Sequence, residues 1–127
     1  MSKIFPLIIA VIVAFIGYRL VVAQISPPVV DNRPSDLVLY WGEGCPHCEN
    51  VKKYVQDNQI DKRLKIDQKE VYYNKSNQNE LTEIVKKCPE IDQTNGVGVP
   101  LAWVISESRC LVGDEPIISW IDQKLLK

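Results

Sequence analysis

Two cysteines stand three positions apart in "LYWGEGCPHCENVKKYV", residues 39–55. Cys45 and Cys48 bracket Pro46 and His47, and His47 is the only histidine in the chain. Paired thiols at this spacing suit three chemistries: thiol–disulfide exchange, a structural disulfide, or half of a zinc site. The flanking residues favour exchange. An apolar run ends in a glycine-containing turn before Cys45, and a helical pattern follows it. A sulfur in the first turn of a helix meets unpaired N–H groups and the positive end of the macrodipole, and both stabilise a thiolate. Cys48 falls about one turn later, behind the first sulfur. Cys45 is therefore the expected nucleophile and Cys48 the resolving thiol. Pro46 suits a first turn, where its missing N–H costs nothing. His47 can carry positive charge or donate a hydrogen bond, and either favours the thiolate. A favoured thiolate stabilises the reduced pair and makes the disulfide more oxidising.

The chain has four cysteines, enough for one zinc ion. Cys88 and Cys110 each stand alone, however, and do not form a second knuckle. They lie 22 residues apart, so a second, structural disulfide is one reading and two buried apolar thiols the other.

The elements that must hold the pair follow from hydrophobic period and turn residues. Residues 36–41 read as a buried strand. Residues 48–59 read as a helix with Cys48, Val51, Tyr54 and Val55 on one face. Residues 63–67 alternate as a strand does, and 70–73 either extend it or turn. A helix starts near a Ser76 or Asn77 cap, carries Leu81, Ile84, Val85 and Cys88 on one face, and ends at Pro89. After a loop at 92–100, residues 101–106 and 110–113 form a hairpin around a turn at 107–109. The last helix has Pro116 in its first turn and an apolar face of Ile117, Ile118, Trp120, Ile121 and Leu125, with Asp114 or Glu115 as its cap. The expected class is α/β: a mixed four-stranded sheet with helices on both faces, following an N-terminal hydrophobic helix. Tyr40, Trp103 and Trp120 are expected to pack in the core.

The bulk numbers are those of an ordinary folded chain: 127 residues, 46% hydrophobic, 24% charged, net charge −1. Nothing in that balance points to nucleic acid. The apolar residues are not evenly spread. Residues 4–18 carry no charge, Arg19 interrupts, and the run continues to Ala23. With Lys3 ahead of it, this is a membrane anchor or an export signal, and "VVA" at 21–23 resembles a cleavage site. The expected organisation is an anchor or signal at 1–23, a stiff Pro-rich linker at 24–35 and a domain at 36–127. Either N-terminal reading puts the domain outside the cytoplasm, tethered to the membrane if the segment is kept.

The order of elements and "GCPHC" together resemble the thioredoxin superfamily over about residues 36–127. "CPHC" is similar to the active-site tetrapeptide of periplasmic disulfide oxidases of the DsbA type, and the short topology to the glutaredoxins. "GVP" at 98–100 resembles the superfamily's cis-proline loop, and "CLVGDEPI" at 110–117 the glycine turn after the last glutaredoxin strand. Gly98 stands where glutaredoxins usually have Thr, and Glu43 lies where a basic residue often does. The resemblance implies Cys45 as nucleophile, Cys48 as resolving thiol, Pro46 and His47 as the tuning dipeptide, and a cis Pro100 beside the disulfide. It also implies client contacts at Trp41, Gly98 and Val99. The implied activity is thiol–disulfide exchange with client proteins, with no metal or organic cofactor. The partners are client thiols and a membrane redox partner that re-oxidises or reduces the pair. The alternative is a non-catalytic module of the same fold whose cysteine pair is structural.

Overall fold

The computed structural model describes residues 4–24, 33–94 and 96–126, with side chains of the first helix at residues 8–19. The chain divides into two units, residues 1–32 and 33–127. The first holds α1, Ile4–Gln24. From residue 8 to Tyr18 its described side chains carry no charge, and Ile8, Val11, Val13, Phe15 and Ile16 are each half or more exposed; Arg19 lies over the Phe15 ring. Among the described residues no helix is long and apolar enough to cross a membrane. Most of the expected linker, residues 25–32, lies outside the described residues.

The second unit is built on a four-stranded mixed sheet in the order β2-β1-β3-β4. β1 is Leu37–Trp41, β2 Ile66–Glu70, β3 Leu101–Val104 and β4 Arg109–Val112. β1 runs parallel to β2, with Leu37 opposite Ile66, and antiparallel to β3, with Leu39 opposite Ala102. β3 and β4 form the antiparallel hairpin. The helices are α2 (Pro46–Asp57), α3 (Lys75–Val85) and α4 (Asp114–Leu125).

The two-residue period of β1 sorts its side chains to opposite faces. Leu37 and Leu39 join Val51 and Val55 of α2 and Ile117, Trp120 and Ile121 of α4 in one core cluster. Val38 and Tyr40 join Leu81 and Val85 of α3, with Cys88, Leu101 and Cys110, in the other. Helices therefore cover both faces, as expected, α2 and α4 on one and α3 on the other. Trp120 is core, as expected, and its indole N–H donates to Glu107 at 2.8 Å.

Several boundaries differ from the sequence expectation. The second strand is Ile66–Glu70 rather than 63–67, because a 3₁₀ turn at Ile60–Lys62 intervenes and buries Ile60 and Leu64. α3 starts earlier than the Ser76 or Asn77 cap. Asn74 is the cap, and its side chain accepts from the Asn77 N–H at 3.1 Å. The hairpin turn is a 3₁₀ segment, Ile105–Glu107, closed by Ser108 in the left-handed region at φ 50°. The last strand accordingly begins at Arg109.

Candidate active site: the Cys45–Cys48 pair at the start of α2

β1 ends at Trp41 and the chain turns through Gly42, Glu43 and Gly44 into α2. Gly44 sits at φ 72°, where a side chain would be strained. Cys45 is the N-cap of α2 and Pro46 the first helical residue. The Cys45 sulfur accepts from the Cys48 backbone N–H at 3.3 Å. It lies 2.6 Å from the Cys48 sulfur, which donates to it. Both cysteines are free thiols, and Cys45 is the more accessible, at 8% against 0%.

Burial pushes the Cys48 thiol up to about 12, and its hydrogen bond to Cys45 holds the proton further. Cys48 is thus the protonated member of the pair. This gives the dithiol form a pH dependence. Below about pH 8.5 the thiol is protonated in folded and unfolded chains alike, so it contributes no slope. Above that value the unfolded chain sheds the proton while the folded one keeps it up to about 12. Stability of the reduced form is therefore expected to fall between about pH 9 and 12 relative to the oxidised form, which lacks the group. Denaturation of both redox forms at pH 8 and 10.5 checks this, and an unchanged difference would refute it.

The Val99–Pro100 peptide is cis, and the Val99 carbonyl faces Cys45, with its oxygen 3.6 Å from the sulfur. A thiol at Cys45 can donate there; a thiolate can instead accept from the Cys48 N–H. The structure thus brings together Cys45, Cys48, Val99 and Pro100. Trp41 is half-buried at the strand end, with the Lys52 ammonium 4.0 Å from the centroid of its ring. Gly98 and Val99 line a cavity of about 420 Å³ with Tyr72, Gln78, Leu81 and Val97.

The His47 ring meets the start of α4. Its Nδ1 is 3.1 Å from both carboxylate oxygens of Asp114. Asp114 was expected as a helix cap. It is instead the first residue of α4, after a Gly113 N-cap, and its carboxylate reaches back to α2. The hydrogen bond from Asn50, at 2.7 Å, and then that from His47 hold the Asp114 carboxyl down at about 2.

Sequence reasoning also missed Tyr72. Its ring lies over Gly42 so closely that a Cβ there would be 2.3 Å from Cζ. Desolvation is the largest cause that raises its hydroxyl, and its place over Gly42 puts the ring at the turn that leads to Cys45. The Glu70 carboxylate fixes this turn by accepting from the Tyr72, Tyr73 and Asn74 N–H groups. A Tyr following a strand gives no sequence signal; only the glycine two residues after Tyr40 hints at a close approach.

Cys88 and Cys110 are bonded to each other, with Cα atoms 5.8 Å apart. This removes two of the four sulfurs that a zinc reading would need. Compared with protein-family models, curated proteins and solved structures, the chain finds no significant match.

Proposed function

We propose that residues 36–127 form a thioredoxin-type thiol–disulfide oxidoreductase that exchanges the Cys45–Cys48 disulfide with client protein thiols. The observation that carries this reading is the asymmetry of the sulfurs: 2.6 Å apart at a helix start, one residue keeping 8% exposure and the other fully buried with its proton. The mixed sheet and the cis Val99–Pro100 bond beside Cys45 support it.

A client thiolate attacks the Cys45 sulfur of the oxidised pair. The Cys45–Cys48 bond breaks, and its electron pair leaves on Cys48, which takes up a proton. The mixed disulfide is between the client and Cys45. A second client thiolate then attacks the client's own sulfur and releases Cys45. Two electrons and two protons pass from the client to the pair, which ends reduced. A membrane quinone-linked oxidase restores the disulfide; in the reverse direction, a transmembrane electron carrier supplies the electrons. The dithiol itself is the redox group of the exchange with the client. Trp41, Gly98 and Val99 contact the client segment. The apolar residues 4–23 hold the domain at the outer face of a membrane.

The assignment of roles is tested by brief alkylation of the reduced protein near neutral pH, followed by mapping of the label. Cys45 is expected to carry most of it, because its sulfur sits at the N-cap of α2 and keeps 8% exposure while Cys48 has none. Predominant labelling of Cys48 would overturn the order of attack. Transfer of the disulfide to a reduced two-cysteine peptide, followed as loss of peptide thiols, tests the activity itself.

A further inference from the structure

The His47–Asp114 contact joins the starts of two helices that are far apart in sequence. His47 lies in the first turn of α2 and Asp114 opens α4. The carboxylate is held by two groups of α2, the His47 ring at 3.1 Å and the Asn50 amide at 2.7 Å. Its side chain is 19% exposed against 69% for the histidine, so the carboxylate is the fixed partner and the ring the exposed one. An anion also suits the first turn of α4.

Two consequences follow for a thiol pair beside them. A carboxylate at Nδ1 makes that nitrogen the donor and commits its N–H to oxygen rather than to a sulfur. A charged ring paired with a carboxylate is close to neutral as a unit, so it adds little field at Cys45. We propose that Asp114 is a positioning residue that holds His47 off the Cys45 sulfur and keeps the pair less oxidising than Pro46–His47 alone would make it. This rests on the reading of Cys45–Cys48 as an exchanging pair.

The reaction that reads it is the equilibrium of the oxidised protein and two reduced glutathiones with the reduced protein and oxidised glutathione. Asp114→Asn removes one negative charge and releases the ring. The constant should shift toward reduced protein about tenfold, which is about 30 mV for a two-electron couple. His47→Gly should then change the constant less than about threefold in the native background and about tenfold in the Asp114→Asn background. Such coupling is the signature of one group acting through another. A merely structural Asp114 would lower stability and leave the constant alone.

An unchanged constant in Asp114→Asn, or a shift toward the disulfide, overturns the proposal while leaving the exchange reading intact. A native pair that does not equilibrate with glutathione at all ends both. A second measurement needs no variant. With a single histidine in the chain, ring ¹⁵N shifts report His47 directly. The neutral ring should be the Nδ1–H tautomer, and an Nε2–H ring would overturn the proposal even if Asp114→Asn failed to fold.

Discussion

Cys45→Ser is expected to reduce disulfide exchange to background while leaving the stability of the reduced protein within about 0.5 kcal/mol. The chemistry is lost outright, because a hydroxyl cannot enter a disulfide. The fold has little reason to notice. Cys45 is an N-cap whose sulfur accepts the Cys48 N–H, and serine is a better cap than cysteine. Cys48→Ser should behave differently. Its sulfur is fully buried, and an unpaired hydroxyl there costs about 1–3 kcal/mol. That variant still attacks client disulfides through Cys45, breaking the client's S–S bond, but has no second thiol to resolve the product, so mixed disulfides with oxidised clients should accumulate. Exchange assays, trapping gels and urea titrations of the two variants separate the readings. If both variants lose stability equally and neither traps a client, the pair is a staple and the non-catalytic module is correct.

The sheet was legible because its signals are local. The alternation of Leu37, Val38, Leu39 and Tyr40 sends side chains to two cores, and the apolar faces of α2 and α4 match one of them. Where sequence reading slipped, capping and turn chemistry competed closely. Asn74 and Asn77 lie three apart, and either can start a helix; the structure uses Asn74 as the cap and Asn77 as the donor. Ile60 and Leu64 resemble residues leading into a strand, but a 3₁₀ turn buries them and delays the strand to Ile66.

At the site, the sequence marks what lies on one helix start and is silent on what the fold brings to it. Cys45, Pro46, His47 and Cys48 are contiguous, so the sequence alone puts them together at one helix start. Asp114 and Tyr72 arrive through tertiary packing. Asp114 reads as an ordinary helix-start acid until α4 is seen beside α2, where Asn50 and His47 meet its carboxylate. The side-chain type was right for a cap, and the tertiary contact overrode it.

Removing the second bridge should give the largest loss of stability. The Cys88–Cys110 bond closes a loop of 22 residues between the chain after α3 and strand β4 at the sheet edge. Restricting a loop of that length in the unfolded chain is worth about 3 kcal/mol. Both residues are buried against Val38, Tyr40, Val85 and Leu101, so truncation also removes apolar contacts. The Cys88→Ala/Cys110→Ala double variant is therefore expected to lose about 3 kcal/mol by urea denaturation. For a domain of this size that is a fall in Tm of roughly 15 °C. A loss below about 1 kcal/mol would mean that the bridge does not constrain the unfolded chain. The same loop contains Gly98, Val99 and Pro100, the segment that faces Cys45. Loosening it should slow exchange by the Cys45–Cys48 pair even though both sulfurs remain. The single Cys88→Ala and Cys110→Ala variants add a second reading. Each leaves one unpaired thiol, and a disulfide between it and Cys45 found by mass spectrometry would show that the loosened loop reaches the pair.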